Sequence, residues 1–172
     1  MKFSYLLLLS ILLAACGATV KIDYDSQADF SKYRTFDFYP EIESGLTELD
    51  DHRIIRITDS LLQLQGWSRS ENPQMLINFY ANERLMHSGS TIGLGMGSTG
   101  GNVGVGVSGG IPIGGYKVNQ QLTMDFVDAE KDELVWQAQA VGQMRERISP
   151  EGKEAYYLKI IQKILSKYPP KK

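Results

Sequence analysis

A single cysteine offers the most distinctive chemistry in this chain. Cys16 follows Leu13, Ala14 and Ala15, and it is the only cysteine among the 172 residues. Its thiol is a nucleophile that a diacylglycerol donor can alkylate, and the two small alanines suit a peptidase pocket that accepts little bulk at the cleaved bond. The order of these residues predicts cleavage between Ala15 and Cys16 and a lipid on Cys16. No thiol then remains for a disulfide, a metal or a substrate.

The residues before this cysteine have the pattern of an export signal. Lys2 supplies a short positive segment, and a mostly apolar run from Phe3 to Leu13 follows it. This run is shorter than the ~20 residues that a membrane-spanning helix needs, so we expect residues 1–15 to be removed as a signal peptide. The arrangement resembles the bacterial lipobox. Two or three acyl chains on Cys16 would make a lasting membrane anchor, because each buried methylene contributes about 0.8 kcal/mol.

The segment from Gly89 to Gly115 is rich in glycine. Two strings within it, at 95–100 and 104–109, match the G-x-G-x-x-G pattern of dinucleotide-binding loops. That pattern requires a helix directly after it, because the helix N-terminus holds the pyrophosphate. More glycine and valine follow here instead, and composition alone accounts for both matches. We therefore predict no nucleotide cofactor.

The same segment also has the spacing of a β-ribbon. Apolar residues alternate with glycine on both sides of a turn-rich link at 97–102. Folded as a hairpin, such a ribbon has side chains on one face and bare backbone on the other. Two interpretations stay open: an extension of the domain's own sheet or a surface loop, and a ribbon that docks on a partner or a membrane surface. The candidate interaction residues are Ile92, Leu94, Met96, Val103, Val105 and Val107.

Other candidate sites have simpler explanations. The acidic run from Asp23 to Gln27 faintly resembles the start of a calcium loop, but Ala28 and Arg34 stand where that loop requires Gly and Glu. Capping and turn roles are therefore expected for these acids. His52 and His87 are far apart and have no partner at helical i, i+4 spacing, which predicts no zinc site. No Gly-x-Ser-x-Gly sequence frames a nucleophilic serine. We predict no metal, no cofactor and no catalytic residues.

Charge and hydropathy argue against further classes of partner. The chain has 18 Lys and Arg against 20 Asp and Glu, which gives a formal charge of −2 with the signs well mixed. This balance argues against a nucleic-acid partner and against a polybasic membrane patch. After the signal, no apolar stretch is long enough to cross a bilayer.

Periodicity predicts the elements that must position any site. Alternation of apolar and polar residues predicts five strands: Val20–Tyr24, Thr35–Tyr39, Met75–Glu83, Lys117–Val127 and Leu134–Gly142. The last two, joined by a turn at 128–132, should form an antiparallel hairpin. A helical period predicts one helix from Thr47 to Gln65 and a second that opens at Ser149-Pro150 and stops before Pro169.

Each predicted helix has an apolar stripe that needs a sheet to cover. The stripes are Ile54, Ile57, Leu61 and Leu64, flanked by Ile55 and Leu62, in the first helix, and Tyr157, Leu158, Ile161, Ile164, Leu165 and Tyr168 in the second. We therefore predict an α+β fold, a largely antiparallel sheet with two helices packed on one face, plus a Gly-rich β-hairpin or loop. Residues 1–15 form the signal, 16–19 a lipidated tether, and 20–170 a single domain with an insertion at 89–115.

Several separated motifs of the chain occur together in one known family. They are Asp23 to Phe36, Gly66-Trp67, Asn72 to Phe79, Asp125 to Ala129 with Leu134-Val135-Trp136, and Ile164 to Pro170. In this order and spacing they resemble the bacterial lipoproteins of domain-of-unknown-function family 4136, over nearly the whole chain after the signal. The resemblance implies a similar envelope lipoprotein, and it carries over no catalytic residue or substrate.

Together these features favour a lipid-anchored envelope lipoprotein that serves as a non-catalytic interaction or structural module. Its anchor to the membrane is the lipid on Cys16, and an envelope protein is a candidate partner. Gly17 is not the aspartate that resembles an inner-membrane retention signal, and no acidic run resembles a surface-export signal, so we expect the outer membrane with the domain facing the periplasm. The alternative is a periplasmic small-ligand or glycan-binding module, in which Trp67 or Trp136 would stack on sugars instead of filling the core; a hydrolase is a further alternative.

Overall fold

A computed structural model of the protein describes residues 19–92 and 111–171. This part of the chain forms six strands, a short 3₁₀ helix and two α-helices. In chain order they are β1 (Thr19–Tyr24), the 3₁₀ helix (Phe30–Lys32), β2 (Thr35–Phe38), α1 (Glu48–Leu64), β3 (Ser68–Arg69), β4 (Met75–Ile92), β5 (Ile111–Asp128), β6 (Glu133–Arg145) and α2 (Pro150–Leu165).

All six strands form one sheet in the order β1-β6-β5-β4-β2-β3. Strands β1, β6, β5 and β4 pair antiparallel, and the β5–β6 pairing confirms the predicted hairpin. Strand β2, however, pairs parallel with both β3 and β4. The sheet is therefore mixed. The chain is α+β overall, but the prediction of a largely antiparallel sheet is wrong.

The parallel pairs follow from the connection through α1. After β2 the chain enters this helix of 17 residues, which spans about 25 Å at 1.5 Å per residue. The helix returns the chain to the end of the sheet where β2 began, so β3 and β4 run in the same direction as β2. A strand–helix–strand crossover joins parallel neighbours in this way. Alternation along a strand does not reveal its direction, which is why the sequence pattern did not predict these pairs.

One face of the sheet forms the core. Alternate residues of the central strands are fully buried, and they belong to one cluster with buried residues from both helices. The register places Met124 between Phe79 and Ala138, so this apolar layer crosses three strands. Trp67 and Trp136 are both members of the core. Both helices therefore lie against this face.

Both helices begin close to their predicted starts, and a capping side chain precedes each of them. The Thr47 side chain accepts a hydrogen bond from the backbone N–H of Asp50, and the Ser149 side chain accepts one from Gly152. Gly66, with a φ of 87°, follows α1 in the left-handed conformation that favours glycine. These contacts satisfy backbone groups that a helix end leaves without partners.

The buried faces of the helices differ from the predicted stripes. Leu64 is 83% exposed and Leu158 is 42% exposed, whereas Thr58 and Ile160 are buried. With 3.6 residues per turn, the residue three positions and the residue four positions after a buried one lie close to the same helix face, so either can face the core. The neighbouring surface decides between them, and here α1 and α2 also pack against each other.

Strands β4 and β5 are longer than predicted. They stay paired as far as Ile92 and Ile111, whereas β6 ends at Arg145, opposite Lys117. Beyond that level, the two strands continue alone as a two-stranded ribbon. Its glycines interrupt the apolar alternation, so the predicted strands ended too early. For the described residues, this pairing fits the interpretation of the glycine-rich segment as an extension of the domain's own sheet.

Candidate functional site

The predicted lipid-attachment residues, Ala15 and Cys16, lie outside the described residues. The first described residue, Thr19, already begins β1 at the edge of the sheet. Only Gly17 and Ala18 stand between it and Cys16. A lipid on Cys16 would therefore be joined to the folded domain by a very short connection.

Of the six predicted interaction residues, Ile92 lies within the described chain. Its backbone pairs with Ile111 at the far end of the ribbon. The other five lie outside the described residues; they are Leu94, Met96, Val103, Val105 and Val107. What the structure places is the base of the ribbon, where it leaves the sheet.

Asp128, at the end of β5, accepts hydrogen bonds from four donors. Its Oδ2 accepts from Lys32 Nζ and from the Tyr33 hydroxyl, each at 2.7 Å. Its Oδ1 accepts from the backbone N–H groups of Glu130 and Lys131 at 3.1 and 3.2 Å. Burial alone raises the pKa of Asp128, but these donors outweigh it and lower the pKa to about 2.

The position of Asp128 suits a structural role. A cleft of about 450 Å³ opens beside it, lined by residues that include Tyr33, Gln74 and Glu130. A carboxylate with a pKa of about 2 is a poor general base near neutral pH, because catalysis favours a pKa near the working pH. Each of its two oxygens already accepts two hydrogen bonds. Asp128 opens the predicted turn at 128–132, but no local sequence pattern indicated its partners in the segment before β2.

A second buried carboxylate, Asp50, joins the two helices. Its Oδ2 accepts hydrogen bonds from Lys153 Nζ and from the Thr47 hydroxyl, and its Oδ1 accepts from Arg53 at 2.8 Å. Burial raises the pKa of Asp50, but the donors Lys153, Thr47 and Arg53 outweigh this effect and lower the pKa overall. The network holds the start of α1 against the start of α2.

A buried amide lies next to this network. The Gln120 side chain, which is fully buried, donates from its amide nitrogen to Glu83 at 2.7 Å and lies 3.2 Å from the Tyr157 hydroxyl. Burial raises the pKa of Tyr157, so its hydroxyl stays protonated near neutral pH. A cleft of about 310 Å³ opens here and includes Asp50, Glu83 and Lys153 in its lining. These groups form a polar junction between helices and sheet, in which the Gln120 amide oxygen is buried without a partner in the described chain.

The two histidines lie on separate elements, α1 and β4. His52 is exposed near the start of α1, with Nε2 4.0 Å from a carboxylate oxygen of Glu48, and His87 contacts the ring of Tyr116. Within residues 19–92 and 111–171, no group of three or more His, Cys, Asp or Glu side chains is placed to hold a metal ion. None of the helices in these ranges combines the length and hydrophobicity that a bilayer crossing needs.

Four cations gather where β6 ends and the ribbon begins. Arg84 on β4, Lys117 on β5, Arg145 at the end of β6 and Arg147 just after it are all exposed. In the described part of the chain, none of the four makes an ion pair. We call these four residues, together with the exposed apolar residues Leu85, Met86 and Tyr116, the basic end. Distant segments supply its cations, so the mixed charge pattern along the sequence did not predict it.

Apolar side chains are exposed at the basic end. Leu85 is 58% exposed, and Met86 and Tyr116 are each 48% exposed. A cleft of about 570 Å³ lies beside them, and its lining includes Lys117 and Arg147. By the strand register, Met86 shares the sheet face of Lys117 and Arg145, whereas Leu85 and Tyr116 lie on the other face. Cations and apolar groups together can contact a surface that is both anionic and apolar.

The face of the sheet opposite the core is polar, and we call it the open face. Pairing places Asp125 between Asn78 and Gln137, and Thr123 between Tyr80 and Gln139. The Gln137 amide donates to Asp125 at 2.8 Å. Burial raises the pKa of Asp125 by more than this hydrogen bond lowers it. Further along the same face lie Asn82, Asn119 and Gln121.

Solved structures share the overall fold at low sequence identity. A PDZ domain protein from Parabacteroides distasonis matches with a TM-score of 0.57 and 15% identity, over 91% of this chain and 37% of that chain. The PelC dodecamer from Paraburkholderia phytofirmans matches with a TM-score of 0.52 and 16% identity, over 87% of this chain and 95% of that chain. At such identities the likeness concerns the fold alone.

The sequence comparisons identify a family but no activity. The family model described as Domain of unknown function (DUF4136) matches residues 20–170. A comparison with curated protein sequences finds no match.

Proposed function

This chain belongs to the family described as Domain of unknown function (DUF4136), and we propose that it is a lipid-anchored lipoprotein of the bacterial cell envelope that acts as a non-catalytic interaction or structural module. The observation that carries the proposal is the sequence Leu13-Ala14-Ala15-Cys16 behind an apolar run too short to span a membrane. The first described strand begins at Thr19, three positions after Cys16, so the anchor and this strand are close in the chain.

The buried acids support a role without catalysis. Both Asp128 and Asp50 accept hydrogen bonds on each oxygen, and both have a lowered pKa. Their partners join separate segments of the fold, which is what a structural carboxylate does. We place the protein at the outer membrane, with the domain facing the periplasm, because Gly17 and the residues after it do not resemble signals for the inner membrane or for surface export.

The lipid anchor is tested by Cys16→Ser in the full chain, with Ala18→Ser as a matched control that keeps the thiol. In bacterial cells fed a palmitate analogue, we expect the native chain and the control to be labelled and to begin at Cys16. The Cys16→Ser chain should be unlabelled and should keep its first 15 residues, because processing follows lipidation. Equal labelling of all three proteins, or a mature N-terminus elsewhere, would contradict the proposal.

A second candidate function is binding of a glycan or another neutral polar ligand on the open face. Its amides, the Tyr80 hydroxyl and the Asp125 carboxylate are the groups that hydrogen-bond sugar hydroxyls, and Tyr80 adds an aromatic surface.

Titration with N-acetylglucosamine oligomers, followed by chemical shifts of the side-chain amides, tests this candidate. If it holds, Gln121, Gln137 and Gln139 should shift together, and Gln139→Ala should weaken binding at least tenfold. Gln63→Ala, on the exposed side of α1, is the control and should bind like the native chain. Shifts spread over both faces, or none at all, would argue against the open face as a glycan site.

A further inference from the structure

The start of the domain and the base of the ribbon lie at the same end of the sheet. Thr19, the first residue of β1, pairs with Val141. Val141 pairs with Gln121, and Gln121 with Asn82, so these four residues share one level across the sheet. From this level β4 continues ten residues farther, to Ile92, on the side from which the chain enters β1.

The length of the connection sets how far this end can be from a lipid on Cys16. Two residues, Gly17 and Ala18, separate Cys16 from Thr19, and an extended chain covers at most about 10 Å over these three Cα–Cα steps. Arg145 lies four residues beyond the level of Thr19, or about 13 Å at the rise of a strand. When acyl chains on Cys16 enter a bilayer, the level of Arg145 and Lys117 is therefore close to the lipid headgroups.

Charge differs between the two ends of the sheet: the end near the anchor is basic, and the opposite end is acidic. The basic end has four exposed cations without ion pairs in the described chain, against the nearby acids Glu83 and Glu146. The opposite end has the exposed acids Asp25, Glu130, Asp132 and Glu133, together with the exposed cations Lys131 and Lys32, of which Lys32 is paired with Asp128. Basic residues near an anionic leaflet are attracted to it within about a Debye length, and acidic loops are repelled.

From these three observations we propose that the basic end is a membrane-contact surface. Arg84, Lys117, Arg145 and Arg147 bind anionic lipid headgroups, while Met86 and Tyr116 enter the interface between headgroups and acyl chains, where amphipathic aromatic residues are favoured. The contact fixes the orientation of the domain, with the acidic β5–β6 turn pointing away from the membrane. The inference rests on the proposed lipid anchor at Cys16.

Spin labels at the two ends of the sheet test this orientation in the full lipidated protein. Cys16 is the only cysteine and its sulfur is bonded to lipid, so Met86→Cys and Lys131→Cys each provide one free thiol for a nitroxide. The protein is placed in vesicles of phosphatidylethanolamine with phosphatidylglycerol. We expect the label at 86 to collide with dissolved oxygen and to be shielded from a water-soluble nickel chelate, and the label at 131 to show the reverse.

A charge variant tests the role of the cations. Lys117→Glu with Arg145→Glu should raise the nickel accessibility at position 86 severalfold, whereas Lys131→Glu with Lys159→Glu, which makes the same change in net charge elsewhere, should leave it unchanged. In vesicles of phosphatidylcholine alone, the nickel accessibility at position 86 of the native sequence should likewise rise. Thermal unfolding of each variant verifies that the domain is folded.

The outcomes separate the orientation from the anchor. If the protein floats with the vesicles but positions 86 and 131 are equally open to nickel, the orientation is wrong and the anchor stands. If the protein does not float with vesicles at all, both proposals fail. Shielding at 86 that appears only at high protein-to-lipid ratio would overturn the membrane contact and assign the basic end to a second copy of the chain.

Discussion

The hydroxyl of Tyr33 and the carboxylate of Asp128 are hydrogen-bonded at 2.7 Å, although 95 positions separate them in the chain. Lys32, next to Tyr33, donates to the same oxygen. The two bonds tie the segment before β2 to the turn between β5 and β6, and so connect the parallel and the antiparallel parts of the sheet. Because the carboxylate is buried and charged, the contribution of this contact to stability depends on pH.

We predict that Asp128 contributes about 2 kcal/mol to stability at neutral pH, through a pKa lowered from 3.8 in the unfolded chain to about 2 in the folded protein. A lowered pKa means that the contribution is present above about pH 4 and is lost as the pH falls from 4 towards 2. Urea unfolding of the native chain and of Asp128→Asn should therefore give a stability difference that shrinks over this window. Asp23→Asn, at an exposed position on β1, is the control. A stability difference between the native chain and the Asp128→Asn variant that does not change with pH would contradict the assignment.

The close approach of Gly142 to α2 leaves no room for a side chain. A Cβ at position 142 would lie 2.6 Å from the Tyr156 hydroxyl oxygen and 2.8 Å from Cδ1 of Ile160. Gly142→Ala should therefore lower stability by about 1–3 kcal/mol, the range for overpacking. Gly115→Ala is the control, because a Cβ there meets no atom within 4 Å in the described chain. Equal melting temperatures for the two variants would show that α2 shifts without strain.

The face that α2 presents to the sheet can be tested with two nearby residues. Ile161 is fully buried in the core, whereas Leu158 is 42% exposed. Ile161→Ala should cost about 2–5 kcal/mol, as for other large-to-small core substitutions, and Leu158→Ala should cost well under half of that. Chemical denaturation measures both. Similar losses at the two positions would mean that the apolar stripe expected from the sequence is closer to the true buried face than the structure indicates.

The glycine-rich segment should be dispensable for folding. The described core comes from the helices, β2 and the parts of β4, β5 and β6 that lie outside residues 89–115, and shortening a loop changes the closure free energy by only about 0.6 kcal/mol per twofold change in length. Replacing residues 89–115 with a short Gly-Ser link should therefore preserve cooperative unfolding, and circular dichroism during heating measures this. Loss of cooperativity would make the ribbon part of the core.

The same deletion distinguishes the two interpretations of the ribbon. In-cell crosslinking of the native chain, with a photoreactive residue at Ile92, reports any envelope protein in contact with it. If the ribbon docks on a partner, crosslinks from a second photoreactive site at Met86 should also change when residues 89–115 are removed. An unchanged pattern at Met86 would leave only the sheet extension.

Much of the secondary structure could be predicted because it depends on neighbours in the chain. Thr47 and Ser149 cap helices through backbone groups three residues away, and Gly66 adopts a positive φ that its own lack of a side chain permits. The β5–β6 hairpin joins two alternating segments through a short turn. Such local geometry leaves a clear record in residue type and spacing.

The tertiary structure decided what depends on contacts between distant segments. The parallel pairing of β2 with β4 is set by the path of the chain through α1, and alternation along a strand is the same in either direction. The choice of Ile160 over Leu158 for the buried face depends on the surface that α2 meets. Likewise Lys117 and Arg145 become neighbours only through the register of β5 and β6, so a sequence with well-mixed charges folds into a domain with a basic end. Spacing along the chain specifies hydrogen bonds within a few residues, whereas pairing and packing determine which distant charges meet.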